Sequence, residues 1–392
     1  MSLPVDFEKI PVEQYCQVRG GLPNTSKRLD QRKPLRLGFF GTSVTNGEWP
    51  NLLLECLQTR FSGVPIQAIR SSIGGSDSQL GVYRLTNDLL VHKPDLVFVE
   101  FVNDMVRPDR EMIAVDVDAI VGQIHQVLPE TDVVLVYVPH LHALEAYDRG
   151  ALPVHIQEHE RVACRRAVSS IDLAKLLHRF IRAGGVTWED YSGDIVHPGL
   201  PGHTLLAQAI NRALDWILHV RVLDRRGQIE PLDAYSMTSR LVPIEPSMMQ
   251  AADSARASTH WQFLLRSGAL TRDEPERHDY YNNYLHNHVP SLVWLDSPGD
   301  RLVAQIKAQT IGLYDLHGPD TGTVTVEIDG QMAGCFDRFI PAGRTIYRLS
   351  TGLILARFST SDVHHIQVTL TDKKPPTGMN PTFLPAFWMI RG

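Results

Sequence analysis

Between Leu35 and Val138, short apolar runs alternate with stretches of helical spacing about every 30 residues, a rhythm that points to βαβ units. Leu35–Phe40 is a run ending in Gly41, as a buried strand would. Trp49–Phe61 carries Leu52, Leu53, Cys56 and Leu57 at helical spacing. Val64–Ile69 reads as a second strand. Leu80–Val91 reads as a helix closed by Lys93-Pro94. Asp95–Val102 is a third strand, Met112–Leu128 a helix and Thr131–Val138 a fourth strand. Such a series gives a mostly parallel sheet, and right-handed crossovers place helices on both of its faces. His140–Pro153 reads as a loop, Ile156–Val168 as a helix, Ile171–Leu173 as a last short strand and Leu176–Ala183 as a helix. Gly202–Leu218 closes the series with Leu205, Leu206, Ala209, Ile210, Leu214, Ile217 and Leu218 on one stripe.

This series uses only part of the 392 residues, which are too many for one ordinary core. After Arg225 periodicity fades, and Pro231, Pro243, Pro246 and Pro275 punctuate the chain. From Leu292 the period becomes two, in Val303–Ala308, Thr323–Ile328 and His365–Leu370. Gly318-Pro319-Asp320 and Asp329-Gly330 supply turns. The sequence therefore predicts an N-terminal arm over 1–34, an α/β domain over 35–225, an irregular linker over 226–290, and an antiparallel, jelly-roll-like β-sandwich over 291–392.

With 43% hydrophobic and 21% charged residues, the chain has a globular profile. A net charge of −6 argues against a nucleic-acid partner, which would require clustered Lys and Arg. No apolar run approaches the ~18 residues of a membrane span. Met1–Lys9 lacks a basic patch followed by an apolar stretch, which sets the expectation of no Sec-type signal peptide. Cys16, Cys56, Cys164 and Cys335 are scattered, so the expectation is reduced thiols, a cytoplasmic protein, and neither metal nor cofactor. Homo-oligomerisation is left open.

Four patches carry chemistry, each at the end of an apolar run or before the closing helix. Gly41-Thr42-Ser43-Val44-Thr45-Asn46-Gly47 exposes a serine where open α/β sheets bind ligands. Ile73-Gly74-Gly75-Ser76 lets a substrate approach backbone N–H groups. Val102-Asn103-Asp104 brings a side-chain amide to the same edge. Tyr191-Ser192-Gly193-Asp194-Ile195-Val196-His197-Pro198 places a carboxyl and an imidazole three residues apart. Taken singly, the first three read equally as a helix cap, a βα turn and an Asn-Asp turn, and the fourth as a surface histidine beside an aspartate.

The set in this order, Ser43, Gly75, Asn103 and then Asp194-x-x-His197, resembles the SGNH hydrolases, the GDSL-type esterases and lipases. The resemblance spans about residues 35–220. It implies a three-layer α/β/α, flavodoxin-like parallel sheet. It also implies Ser43 as nucleophile, His197 as general base, Asp194 as its orienting partner, and an oxyanion hole formed by Ser43, Gly75 and Asn103. The usual Gly-Asp-Ser reads Gly41-Thr42-Ser43 here, a departure that removes no catalytic group. The chemistry agrees: a free hydroxyl is a poor nucleophile until a base takes its proton and the resulting oxyanion is received by donors. Ile311–Gly322 and Val326–Gly330 look like the sandwich that accompanies some carbohydrate esterases. The implied activity is hydrolysis of short acyl esters, acetyl first, on carbohydrate hydroxyls. An acyltransferase using the same triad, or a carbohydrate-binding protein with a vestigial site, remain the alternatives.

Other groups are weaker. His140, His142, His155 and His159 cluster in sequence, but the stretch reads His-Ile-Gln-Glu-His, without the spacing of a metalloprotease helix. A solvated or cleft-lining role is the expectation. Glu100 and Asp104 lie four apart with nothing else to support a glycosidase pair. Tyr314, Phe336, Tyr347 and Trp388 are candidates to stack on sugar rings, though core packing suits most of them. His278–Tyr284 is a Tyr-rich stretch that fits either a substrate rim or an interface.

Overall fold

Six of the seven residues of Leu35–Gly41 are buried, and a strand without a wet face belongs inside a sheet covered on both sides. The computed structural model describes residues 7–220, 230–233, 237–244, 248–250, 256–258, 292–344 and 352–392. It divides into two units, Met1–Met237 and Thr238–Gly392.

In the first unit the strands are β1 (Cys16–Gln17), β2 (Leu35–Gly41), β3 (Ile66–Ser72), β4 (Leu96–Val99), β5 (Asp132–Tyr137) and β6 (Ser169–Asp172). The helices are α1 (Pro23–Asp30), α2 (Trp49–Arg60), α3 (Ser78–Asp88), α4 (Arg110–Val127), α5 (Leu141–Asp148), α6 (Val154–Arg165), α7 (Leu173–Arg182), α8 (Trp188–Tyr191) and α9 (Leu200–His219). The sheet order is β1-β6-β5-β4-β2-β3, with β2 to β6 parallel and β1 antiparallel to β6. This is the doubly wound α/β sheet that the alternation predicts. Register pairs Gly41 with Ser72, Phe40 with Val99, and Val99 with Leu135, so the carboxyl ends of β2 to β5 form one edge.

Side-chain alternation along the strands feeds two cores. Leu37, Phe39, Phe98, Val134 and Val136 join one cluster with Leu53 and Leu57 of α2, Leu177 of α7, and Leu206 and Ile210 of α9. Phe40, Val97, Val99 and Leu135 are equally buried but point the other way. Burying each large aliphatic side chain contributes about 1.5–3 kcal/mol, so α9, whose predicted stripe is inside except for the half-buried Leu218, is a principal anchor of the sheet.

Two segments differ from their sequence reading. The loop expected over His140–Pro153 contains α5, whose Ala143, Leu144 and Ala146 are buried. Leu141–Asp148 is free of Gly and Pro, and its one apolar face suffices for two turns. Ahead of Leu35, where the sequence shows no periodicity, β1 extends the sheet and Thr25 of α1 donates its backbone N–H to Asp132 at 2.7 Å. Elements this short leave no periodic signal.

Every pairing between the described strands of the second unit is antiparallel. Its strands are β7 (Arg240–Pro243), β8 (Met249–Gln250), β9 (Arg256–Ser258), β10 (Leu292–Trp294), β11 (Arg301–Leu316), β12 (Thr323–Ile328), β13 (Gln331–Asp337), β14 (Gly352–Leu370) and β15 (Leu384–Arg391). β9 and β10 pair with each other. The others form a seven-stranded sheet ordered β13-β12-β14-β11-β15-β7, with β8 also on β11. The predicted turn at Asp329-Gly330 joins β12 to β13 with φ of 53° and 77°, the left-handed pair that a tight hairpin requires. β11 and β14 are longer than the short strands expected, and a bulge between Ala308 and Thr310 keeps them paired. Tyr314 and Trp388 are fully buried and unavailable for stacking on a ligand, whereas Phe336 is half-buried. Tyr347 and His278–Tyr284 lie outside the described residues. Among the described residues, no helix is long and apolar enough to cross a membrane.

Candidate active site

Four loops at the carboxyl edge of the sheet carry the residues that the sequence singles out. Ser43 follows β2, in a turn closed by the Asn46 N–H on the Thr42 carbonyl at 3.0 Å. Gly75 follows β3, in a turn closed by the Ser76 N–H on the Ile73 carbonyl at 3.2 Å. Its φ of 80° is the left-handed conformation that glycine adopts without strain. Asn103 follows β4. Asp194 and His197 lie between α8 and α9.

Ser43, His197 and Asp194 meet. Ser43 Oγ is 2.8 Å from His197 Nε2, and His197 Nδ1 is 2.8 Å from Asp194 Oδ2. The other carboxylate oxygen, Oδ1, accepts the backbone N–H groups of Val196 at 2.8 Å and His197 at 2.7 Å. A short loop thereby holds the carboxylate against its own imidazole. Ser192 Oγ donates to the His197 carbonyl at 2.7 Å, Trp188 Nε1 donates to the Asp194 carbonyl at 2.9 Å, and a bridge joins Ser192 to Pro198. Partial burial would raise the Asp194 carboxyl, but these N–H donors and the His197 imidazole outweigh it and hold the pKa at about 2. Asp194 therefore stays ionised and keeps the proton on Nδ1, which leaves Nε2 as an acceptor for the serine hydroxyl.

Gly75 and Asn103 are brought to the same edge and tied together: Asn103 Nδ2 donates to the Ser76 carbonyl at 2.9 Å. The Ile73 N–H in turn donates to the Gly41 carbonyl at 3.1 Å, joining this turn to the strand that carries Ser43. Among the described residues, the backbone N–H groups of Ser43 and Gly75 have no protein acceptor. They remain available to a negatively charged oxygen.

Several supporting residues gave no functional signal in the sequence. Glu100 is 1% exposed and accepts four hydrogen bonds. These come from the Thr42 N–H at 3.1 Å, the Thr42 and Thr45 hydroxyls at 2.8 and 2.7 Å, and the Val102 N–H at 2.6 Å. It staples the serine turn to the Asn103 loop. It also explains how Thr42 fits where an aspartate is usual, since a hydroxyl supplies a donor that this carboxylate needs. Arg84, fully buried over the Phe40 ring, donates to the Gly41 carbonyl at 2.9 Å. Arg70 donates to the carbonyls of Thr45, Asn46 and Gly47 at 3.2, 2.8 and 2.8 Å. Asp104 accepts the Ser78 N–H at 2.9 Å and faces His159 Nε2 at 2.7 Å. It is thus a structural partner and does not form a carboxylate pair with Glu100. His140, His142 and His155 line a cavity, whereas His159 is core.

No curated protein matches the chain in sequence. A crystal structure described as a two-domain esterase active on acetylated mannans is 19% identical, with a TM-score of 0.78 over 97% of this chain and 98% of its own. Its form co-crystallised with mannopentaose is 20% identical, with a TM-score of 0.77 over the same shares. At such identity the likeness is one of fold, and it extends to the antiparallel second unit. The family model described as GDSL-like lipase/acylhydrolase matches residues 39–205, from β2 into α9, and takes in Ser43, Gly75, Asn103, Asp194 and His197.

Proposed function

We propose that the protein is a serine esterase that removes short acyl groups, acetyl first, from carbohydrate hydroxyls. The observation that carries this reading is the hydroxyl–imidazole–carboxylate relay, with 2.8 Å at both steps. The family-model match over residues 39–205 and the fold likeness to an esterase of acetylated mannans support this reading.

In this mechanism His197 Nε2 takes the Ser43 proton as Oγ attacks the ester carbonyl carbon. The carbonyl electrons move to oxygen, and the N–H groups of Ser43 and Gly75 with the Asn103 amide receive the charge. His197 then returns the proton to the departing sugar alkoxide, leaving an acyl group on Ser43. Water then attacks the acyl carbon as His197 takes its proton; the acyl–Oγ bond breaks, His197 gives that proton to Ser43 Oγ, and the acid leaves. The side chains of His197 and Asp194 are about half exposed, at 51% and 52%. An imidazole this open to solvent favours water over a second sugar as acceptor.

The test is release of acid from acetylated sugars and from p-nitrophenyl esters of rising chain length. Acetyl esters should be the best substrates, and Ser43→Ala should lower kcat/KM by about a thousandfold or more while keeping the circular dichroism of the parent. A Ser43→Ala variant that retains parental turnover would overturn the proposal.

A further inference from the structure

Beside the loop that carries Asn103 lies a cavity of about 270 Å³, whose wall includes Met105, Arg110, His140, Arg149 and Leu152. It adjoins the catalytic loops on two sides. Met105 is two residues past Asn103, and the Leu141 N–H, next to His140, donates to the Ile195 carbonyl in the Asp194–His197 loop at 2.9 Å. β5, which feeds His140, is the second strand from β2, which feeds Ser43. At the usual strand spacing that is a lateral offset of roughly 10 Å, within reach of the next ring of an oligosaccharide.

The charges around this cavity do not cancel. Asp104 is the only carboxylate in its lining. It is already engaged by Ser78, by His159 and, at 3.8 Å, by Arg107. Glu145, outside the lining, faces His142 at 3.3 Å. Among the described residues, the guanidinium groups of Arg110 and Arg149 have no ion pair or hydrogen bond. His140 is 2% exposed, yet neither ring nitrogen has a partner. An unpaired buried polar group is costly, and a polar ligand in the cavity recovers that cost. Burial, then nearby His142, lowers the His140 pKa to about 4, so near neutrality it offers one donor and one acceptor, as a sugar hydroxyl requires.

Past Ala151 and Leu152 the cavity adjoins a larger one of about 840 Å³, lined in part by Lys175, Arg179 and Arg182. There Arg179 bonds only the neutral Gln14, at 2.7 Å, and Asp148 is shared between His178 at 2.9 Å and Arg182 at 3.9 Å, with Arg149 also acting on it electrostatically. In a chain of net charge −6, this succession of cations is a local concentration.

We propose that this cleft binds an anionic glycan, with Arg110 and Arg149 pairing with the carboxylate of a uronic acid that neighbours the acylated sugar and His140 bonding one of its hydroxyls. Arginine forks match planar carboxylates, which favours a uronate over a neutral ring. The proposal rests on the esterase reading and names the substrate class of the same site.

The test compares the full chain with the double variant Arg110→Gln/Arg149→Gln on three substrates: acetylated oligogalacturonides, acetylated manno-oligosaccharides of equal length, and p-nitrophenyl acetate. Wild type should show a KM about tenfold lower on the charged glycan, and added salt should erase this advantage. The double variant should raise that KM about tenfold, with kcat and both other substrates unchanged. Equal KM values for the two glycans in wild type would overturn the proposal, as would a variant that shifts both glycans alike. Unacetylated oligogalacturonide binding to Ser43→Ala, measured by calorimetry, reads the cleft without turnover. No binding, or tighter binding of a single-stranded oligonucleotide, would also overturn it. The esterase reading fails separately, if Ser43→Ala still releases acid.

Discussion

The serine, imidazole and carboxylate owe their geometry to residues that do no chemistry. Glu100 shows this most sharply, since one of its oxygens accepts three bonds from Thr42 and Thr45 and the other accepts the Val102 N–H. In Glu100→Gln an NH2 group must face one of these donors, at a cost of about 1–3 kcal/mol. The expected outcome is a fall in kcat of about tenfold to a hundredfold with KM within about twofold, because the turn that aims Ser43 relaxes while the binding surface does not. Steady-state kinetics with p-nitrophenyl acetate check this, and parental kcat would show that Glu100 is dispensable. Ser43, Asp194 and His197 could be singled out in the sequence because spacing and order survive without coordinates. The sequence did not show Glu100 as a staple, because its partners lie 55 and 58 residues away and only the folded sheet brings them together.

At the level of elements, the sheet was legible and its short additions were not. β2, β4 and β5 are apolar runs bounded by turn residues, and α9 shows its stripe in the sequence. α5, two turns long, and β1, two residues long, carry too few periods to register. Close packing between elements is also invisible to periodicity. Gly81 of α3 lies against Phe101, and a Cβ added there would meet the Phe101 ring at 2.5 Å. Phe101 is 1% exposed, packs edge-on to Phe40 with ring centroids 5.4 Å apart, and sits two residues before Asn103. Gly81→Ala should therefore destabilise by about 1–3 kcal/mol and lower kcat by displacing the Asn103 loop. Urea unfolding alongside kinetics measures both effects, and unchanged values would mean that α3 shifts freely.

Across the whole molecule, buried histidines tie stability to pH. Burial, then His142, lowers His140 to about 4. Burial, opposed by Glu48 and aided by Arg70 and His197, lowers His203 to about 4. Such groups are protonated in the unfolded chain before the folded one. Their contribution is complete above about pH 6.5 and is lost as pH falls toward 4. Asp77 and Asp172 act in the opposite sense, since burial raises both to about 6 despite Arg107 near the first and the Tyr147 hydroxyl on the second. The parental profile is thus a small difference, and a variant isolates one group. Relative to His140→Gln, wild type should lose about 3 kcal/mol between pH 7 and pH 4. Urea denaturation across that range reads the loss, and a constant difference would contradict it.

The proposed chemistry requires Ser43 to become covalently acylated. A serine-directed fluorophosphonate, added to the full chain and followed by intact mass and peptide mapping, tests this most directly. The expected result is one adduct per chain on Ser43, loss of esterase activity in step with labelling, and no adduct in Ser43→Ala. An unlabelled protein that still hydrolyses acetyl esters, or an adduct on another residue that tracks inactivation, would contradict it.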